Sequence, residues 1–414
     1  MTTEERQRRG WWIVASLFLA MVLVNGPVLG TPGVFFMPLL KQFGVQRAQL
    51  SLMSSLMFVG FGIAAPASGW LLDRIEARIV MVSGAVLTAL TFVALGRVHS
   101  FTGLVAAYMI LGFGAGAATF VPTQFIITNW FGARRGTALG IAFVGMALGP
   151  MLAAVVAQHL ISTLGWRVAY QMLPIPILLI AIPVIAIVIR SRPPQAVEPG
   201  GQKTVPARDG LEVGPALRSR SFWLLAGAFL LFGLAANGIA FHLVPYLRGR
   251  GYDAGFAALA LSLMFGAGAL GDLAFGLLGD RMRSRVAMGL NLIVLAVVAA
   301  AMLRAPGPEL LMVLAIGFGI ANAGPTVLEP MVAADCFGLK RFGSLTGLVH
   351  IGGTAGAVLG PVIAGAVFDR TGSYWPAFDA FIVILIVSGT MVMLCTPLAV
   401  QNAAAPHPAP AVGC

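Results

Sequence analysis

The sequence predicts an all-α membrane protein with twelve transmembrane helices in two six-helix, pseudo-symmetric halves. Three observations support this prediction. The 414 residues are 58% hydrophobic and only 10% charged, with a mean hydropathy of +0.92, whereas a soluble domain is about one-quarter charged. The apolar residues form twelve runs, and a spanning helix needs about 20 such residues. A set of short motifs also recurs at a nearly constant spacing.

The twelve apolar runs define the predicted helices. They are 11–40, 49–72, 78–97, 102–128, 136–160, 167–190, 221–247, 254–279, 286–304, 309–333, 342–368 and 375–398. The longest polar break, 191–220, is rich in proline and glycine, which is typical of a solvated linker. It divides the chain into an N-terminal half, 1–190, and a C-terminal half, 221–398. The alanine- and proline-rich segment 399–414 is predicted to be a disordered tail.

The positive charges predict the orientation in the membrane. Eighteen of the 26 lysines and arginines fall on the side that holds the N-terminus, and an excess of these residues marks the cytoplasmic side. We therefore expect a multi-pass protein of the cytoplasmic membrane with both termini and the linker in the cytoplasm. The arginines lie between apolar runs and not in a patch with aromatic residues, so the net charge of +11 does not predict nucleic-acid binding. No cleavable signal peptide is expected, because the first apolar run is too long for one.

Five signatures recur in the two halves at offsets of 206 to 211 residues. They pair Pro38 with Pro245, 69–74 with 276–281, 131–135 with 337–341, 145–150 with 356–361, and 165–166 with 372–373. Two homologous halves in parallel repeat are typical of the major facilitator architecture, in which a central cavity lies near the membrane midplane.

Charged residues at the loops of this repeat are candidates for a conformational latch. Asp73 and Asp280 occupy equivalent positions at the ends of helices two and eight. Each aspartate can meet the positive N-terminus of the next helix or nearby arginines, which would tie the halves together when the opposite side is open. A generic cluster of charges at the membrane edge is the alternative. The predicted latch residues are Asp73, Arg74, Arg134, Arg135, Asp280, Arg281, Lys340 and Arg341.

Several segments resemble known transporter families. The Asp-Arg pairs at 73–74 and 280–281 resemble the loop motif of major facilitator transporters, although Glu76 stands where that motif usually has glycine. Residues 130–140 resemble the signature between helices four and five of the monocarboxylate carriers, and residues 328–369 resemble their helices ten and eleven. The resemblance runs through nearly the whole chain and extends to the oxalate/formate antiporter branch. It implies a secondary transporter.

The sequence departs from these carriers where they hold a carboxylate. Gly30 aligns with a substrate-linked lysine of the animal carriers, and Gly268 and Asp272 align with their aspartate and arginine in helix eight. The characteristic cation of the cavity is therefore missing. This departure weakens the inference of a small monocarboxylate as the substrate but leaves the predicted fold unchanged.

Ionisable residues within membrane helices are costly and are functional candidates by default. Asp272 lies in the middle of helix eight, and a buried, unpaired carboxyl readily keeps a proton, so Asp272 is a candidate for proton coupling. A structural hydrogen bond is the alternative. Glu329 in helix ten resembles a family glutamate and is a second proton-coupling candidate; a latch to the cytoplasmic loop and a contact with the substrate are equally open for it.

Polar residues of the predicted cavity helices are substrate-binding candidates. Histidine titrates near physiological pH, and asparagine or glutamine can hydrogen-bond a carboxylate or hydroxyl. Hydrogen bonding between helices is the alternative for each of them. The candidates are Asn25, Gln124, Asn237, His242, Asn322 and His350.

No enzyme constellation is found in the sequence. It has no phosphate-binding loop for ATP, and its three cysteines fit neither a disulfide framework nor a metal site. We expect no cofactor and no metal. The predicted function is secondary transport of an organic acid anion, with a proton or by anion exchange, by a protein that works as a monomer in the lipid bilayer. Export of a cationic or neutral amphipathic compound, with Asp272 as the counter-ion, is one alternative, and a non-transporting membrane sensor is another.

Overall fold

The computed structural model describes residues 3–193 and 210–398. This part of the chain contains twelve helices long and apolar enough to cross a membrane, which confirms the predicted fold class. In chain order, α1 to α12 are Gln7–Phe43, Gln49–Leu72, Ala77–Leu95, Phe101–Trp130, Arg135–Leu164, Trp166–Val188, Arg220–Gly249, Ala254–Arg281, Ser284–Leu303, Pro308–Phe337, Phe342–Thr371 and Trp375–Met393.

The outer surface of the helices is apolar. Leu179 and Ile187 of α6 are both 72% exposed, and Val155 of α5 is 68% exposed. A helix at the surface of a soluble protein would carry polar residues on this face, whereas a helix that is apolar all round suits a lipid environment. The exposed aliphatic side chains therefore fit a bundle that is surrounded by lipid tails.

The two halves, α1–α6 and α7–α12, meet along two equivalent helix pairs. Helix α2 packs against α11, and α5 packs against α8. A β-carbon on Gly69 would lie 2.0 Å from the carbonyl oxygen of Gly343, and one on Gly276 would lie 2.4 Å from that of Gly136. These glycines let the backbones approach more closely than any other residue permits. We call the two crossings together the seam.

The last part of the predicted linker packs on the C-terminal half. The Leu211 N–H donates to the carbonyl oxygen of Phe337 at 2.8 Å, and a short linker helix follows at Val213–Arg218. The carboxylate of Glu212 lies 2.8 Å from Nε of Arg341 and 3.2 Å from Nζ of Lys340. Hydrogen bonds from these two cations hold the pKa of Glu212 below its ordinary value. The rest of the predicted linker, 194–209, and the predicted tail, 399–414, lie outside the described residues.

Candidate functional site

A cavity of about 440 Å³ lies between the halves, near the middle of the helices. Its walls come from α1, α2, α4, α5, α7 and α11. The lining residues are Asn25, Leu29, Ser55, Phe58, Phe61, Ala65, Gly116, Phe120, Val121, Met146, Phe229, Asn237, Phe241, His350, Gly353, Thr354, Ala357, Val358, Pro361 and Val362. His350 is the only titratable residue in this set, and lysine and arginine do not occur in it.

The cavity is separated from one face of the membrane by the seam. We call this face, which holds the start of α1, the N-terminal face. His350 lies eight residues into α11, about 12 Å from that end at 1.5 Å per residue. From His350 the lining continues along α11 to Val362, toward the opposite face. The glycine contacts of Gly69 with Gly343 lie between His350 and the N-terminal face, so the protein is closed on that side.

A local change in helix geometry places Asn25 in the cavity wall. Residues Met21–Asn25 form a wider π-helical turn, two residues before Pro27, which has no N–H to donate. Such turns are frequent at functional sites. Asn25 is only 1% exposed and lines the cavity. Its Oδ1 has no hydrogen-bond partner among the described residues.

Helix α4 is interrupted beside the cavity. Its first segment ends at Ala118 and its second begins at Phe120, because Thr119 leaves the helical conformation with φ −125° and ψ −67°. Phe120 lies at the start of the second segment and lines the cavity. Gln124 follows one turn later and is fully buried. The interruption therefore sets the direction of both side chains.

Three polar residues from both halves meet at the inner end of the cavity. Nε2 of His350 lies 3.1 Å from Oε1 of Gln124 and 3.4 Å from Oε2 of Glu329. The second contact is within ion-pairing distance but is not aligned as a hydrogen bond. Glu329 is fully buried. A nitrogen that faces two acceptor oxygens suits a proton on Nε2, so we describe His350 as donating to Gln124.

Two aromatic rings flank this cluster. The rings of Phe120 and Phe229 lie with their centroids 4.9 and 5.0 Å from that of His350, at interplanar angles of 87° and 81°. His350 is 6% exposed as a result. Apolar rings on both sides keep water away from the imidazole, which strengthens its interaction with a nearby charge.

The structure brings some of the predicted substrate-binding residues together and leaves others outside the cavity. Asn237 lines the cavity, although its Nδ2 donates to the carbonyl oxygen of Gly233 in its own helix at 2.9 Å. His242 is not a lining residue, and its Nε2 lies 2.9 Å from the carbonyl oxygen of Pro361. Asn322 is not a lining residue either. Asn25, Asn237 and His350 thus line the cavity, and Gln124 contacts one of them.

Asp272 lies at the seam and not in the cavity wall. A β-carbon on Gly140 would lie 2.4 Å from the backbone carbonyl oxygen of Asp272, where α5 crosses α8. The residue is 6% exposed, and its carboxyl makes no hydrogen bond or ion pair with any part of the chain that the structure describes. Asp272 is not among the cavity-lining residues. Its predicted proton-coupling role therefore stays a prediction.

Asp73 holds the two halves together at the N-terminal face. Its carboxylate accepts hydrogen bonds from the N–H of Gly343 at 3.2 Å, and from the N–H and the Oγ of Ser344 at 3.0 and 2.6 Å. These groups form the first turn of α11. A carboxylate at a helix N-terminus pairs with N–H groups that have no partner within the helix.

Asp280 makes the equivalent contact from the C-terminal half. Its carboxylate accepts from the N–H of Gly136 at 2.6 Å, and from the N–H and the Oγ1 of Thr137 at 2.8 and 2.5 Å. These groups form the first turn of α5. Each aspartate therefore caps a helix of the other half, and not the helix that follows it in the chain.

The predicted latch cations do not form ion pairs with the two aspartates, although Arg135 interacts electrostatically with Asp280 and Arg341 with Asp73. Arg74 stacks over the ring of Trp70 at 3.6 Å, and Nη1 of Arg135 lies 3.8 Å from Oδ1 of Asp335. Lys340 and Arg341 pair with the linker carboxylate of Glu212, while Arg134 and Arg281 are exposed. Within the described ranges, none of these six cations forms an ion pair with Asp73 or Asp280.

Sequence reasoning missed the partners of the two aspartates. The dipeptides Gly136-Thr137 and Gly343-Ser344 lie 207 residues apart, the same offset as the Asp-Arg motifs. The repeat could therefore have predicted these hydrogen-bond donors. The contact of Glu329 with His350 had no such signal, because neither residue has an equivalent in the other half.

The comparisons with known proteins agree with this architecture. The family model of the Major Facilitator Superfamily matches residues 17–309 and 251–412. Monocarboxylate transporter 13 of Bos taurus is 28% identical over 93% of this chain and 89% of its own length. Monocarboxylate transporter 2 of Homo sapiens is 25% identical, over 88% of this chain and 80% of its own. The E. coli fucose:proton symporter matches with a TM-score of 0.71 and 16% identity, over 93% of this chain and 99% of that one, which supports the fold.

Proposed function

The chain belongs to the major facilitator superfamily, and on that premise we propose that this transporter carries an organic acid anion together with a proton by alternating access. The cargo site is the cavity between the halves. The observation that carries the proposal is the cluster of His350, Glu329 and Gln124, which gives an otherwise uncharged cavity wall one group that can gain and lose a proton.

The charges of the cluster explain why proton and anion would move together. A lone carboxylate that enters an uncharged, largely apolar cavity loses its hydration without a compensating charge, which costs several kcal/mol. A proton on His350 supplies that charge. The imidazolium would keep Nε2 toward Gln124 and Glu329, and its Nδ1–H would be free to donate to the carboxylate of the cargo. Neither ion would then bind well without the other.

Glu329 has a complementary part in this proposal. Its carboxylate is fully buried and has only His350 within ion-pairing distance among the described residues. An ionised Glu329 would attract the imidazolium of a protonated His350, and opposite charges attract more strongly where water is excluded. Once the cavity has opened to the cytoplasm and the cargo has left, the proton would pass from His350 to the water on that side, and the empty carrier would reopen to the outside.

The latches supply the conformational step. Six hydrogen bonds to the carboxylates of Asp73 and Asp280 close the N-terminal face, and the inward movement of cargo requires that they break. We propose that the N-terminal face is cytoplasmic, because the sequence predicts 18 of the 26 lysines and arginines on that side and such an excess marks the cytoplasmic side. With its cytoplasmic face closed, the protein is then in an outward-facing state.

Two further observations favour this proposal over export of a cation. Relatives that match most of this chain are named monocarboxylate transporters, and a cationic cargo would need an acidic residue in the cavity wall. Asp272, the residue considered for that part, is not a lining residue.

Uptake into proteoliposomes tests the proposal. Labelled lactate, oxalate and an aromatic acid would be supplied with and without an inward proton gradient, beside a cationic dye. We expect gradient-driven accumulation of an acid, and a loss of at least tenfold in His350→Gln, because a hydrogen bond to a charged group contributes about 1.5–3 kcal/mol. The matched control is His159→Gln, since His159 is an exposed histidine of α5 outside the cavity.

Two results would contradict the proposal. One is movement of the dye with no uptake of any acid. The other is acid accumulation in His350→Gln that equals that of the wild type, which would place the coupling proton elsewhere.

A further inference from the structure

We infer that the cargo is an aromatic monocarboxylic acid whose ring carries a hydrogen-bond donor, such as a phenolic hydroxyl. This inference rests on the proposed function, since it concerns the same cavity and assumes that His350 meets the carboxylate. Three features of the cavity support it, namely its aromatic wall, its size and an acceptor atom without a partner.

The cavity wall is unusually aromatic for a site that would bind a small polar acid. Five of its twenty lining residues are phenylalanines, and they come from both halves. They are Phe58, Phe61, Phe120, Phe229 and Phe241. Phenylalanine rings attract another ring by edge-to-face or offset contacts beyond the area that they bury. A short aliphatic acid would leave most of this wall in contact with water.

The size of the cavity points in the same direction. Sites that enclose drug-sized ligands have volumes of roughly 300–1,000 Å³, and this cavity of about 440 Å³ falls in that range. Among the lining residues, His350 is the one that can carry a charge and pair with a carboxylate, and few of the others are polar. The volume therefore suits a molecule with a single carboxylate and an apolar body of one ring.

Asn25 specifies what the ring should carry. Its Oδ1 is buried and has no hydrogen-bond partner among the described residues, although the residue lines the cavity. A cargo with a donor in reach of this atom would make a hydrogen bond that the protein leaves unmade, whereas a cargo without one would leave the buried acceptor unpaired, which costs affinity. Because Oδ1 is an acceptor, the matching group on the cargo is a donor.

The two polar contacts belong to opposite halves. Asn25 lies on α1 and His350 on α11, with the aromatic wall around them. A cargo that meets both residues would join the two halves through its own length. This arrangement links binding to the rocking movement, since a cargo without the donor would make its polar contact only with the half that carries His350.

Competition against a labelled acid in proteoliposomes tests the inference. The label is 4-hydroxyphenylacetate, and the competitors are phenylacetate, 4-hydroxycyclohexylacetate and lactate. We expect the inhibition constant of phenylacetate to be about tenfold higher than that of the hydroxylated acid, because one hydrogen bond is lost. The cyclohexane analogue should be roughly two- to tenfold weaker, because it lacks the ring–ring contacts. Lactate should compete least.

The Asn25→Leu variant isolates the contribution of the acceptor. It should reduce the tenfold preference for the hydroxylated acid to less than twofold, because the difference between the two inhibition constants depends on this acceptor. The matched control is Asn291→Leu, since Asn291 is a buried asparagine of α9 that does not line the cavity. If either variant fails to fold, the competition series on the wild type still decides the question.

The outcomes separate this inference from the proposed function. Proton-driven uptake of lactate that aromatic acids do not inhibit would overturn the inference and leave the proposed function intact. Equal inhibition by phenylacetate and its hydroxylated form would overturn the assignment of a donor. If no acid is transported, both the proposed function and this inference are wrong.

Discussion

The two aspartate latches predict how the conformational equilibrium can be shifted. The carboxylate of Asp280 accepts three hydrogen bonds from Gly136 and Thr137. Asn in its place keeps one acceptor oxygen but presents an NH₂ group to at least one N–H donor and has no charge. Hydrogen bonds to charged groups contribute about 1.5–3 kcal/mol, and a negative charge at a helix N-terminus contributes roughly 0.3–1 kcal/mol. We therefore expect Asp280→Asn to destabilise the closed N-terminal face by on the order of 2 kcal/mol.

That change corresponds to about a 30-fold shift in the ratio of closed to open molecules. It can be measured as spin-label distances in a cysteine-free background with Ile75→Cys and Arg283→Cys, which lie on exposed loops of the N-terminal face in opposite halves. The population with the longer distance should grow in Asp280→Asn and grow further when Asp73→Asn is added. The control is Asp253→Asn, because Asp253 caps α8 within its own half by accepting from Phe256.

An unchanged distance distribution in the Asp73→Asn, Asp280→Asn double variant would refute this reasoning. It would mean that the glycine contacts of the seam close the N-terminal face without help from the carboxylates. A shift of equal size in Asp253→Asn would also refute it, since the hydrogen bond of that carboxylate to Phe256 lies within one half.

Two more predictions concern Asp272 and the linker. Asp272→Asn should keep proton-driven accumulation within about threefold of the wild type, because Asp272 lies outside the cavity. If this variant lost accumulation but still exchanged cargo, Asp272 would be the proton-coupling residue. The pairing of Glu212 with Arg341 and Lys340 lowers the pKa of Glu212, so it contributes stability at neutral pH that is lost as the pH falls through this lowered pKa. Hydrogen-exchange protection of the Leu211 amide should fall over that acidic range. In Glu212→Gln the protection should be low already at pH 7. Equal protection of this amide in the wild type and in Glu212→Gln at pH 7 would count against the pairing.

The twelve helices could be predicted from the sequence because the bilayer imposes simple requirements. Each span must be apolar over about 20 residues and must satisfy its backbone hydrogen bonds internally. The repeat at 207 residues then predicted two equivalent halves, and it placed Asp73 and Asp280 at equivalent ends. The prediction had each of these aspartates meet the N-terminus of the next helix or a nearby arginine, whereas each accepts hydrogen bonds from a helix of the other half.

The partners of individual side chains were decided only by the tertiary structure. Gln124 and His350 are 226 residues apart, and their contact depends on how α4 and α11 rotate against each other. Helices that are apolar on every side give no periodic signal for that rotation. The rotation is instead set by the close approach at Gly69 and Gly343 and by the interruption of α4 at Thr119.

The packing of the helices also determines the different surroundings of the two buried acids, Asp272 and Glu329. From the sequence, Asp272 and Glu329 were both candidates for proton coupling. Packing directs Glu329 to His350 beside the cavity and leaves Asp272 at the crossing of α5 and α8. The sequence by itself determined the helices, the repeat and the residue types available for chemistry. Which of these residues share one cavity was determined by the packing of the two halves, because contacts between helices depend on distances that no spacing along the chain encodes.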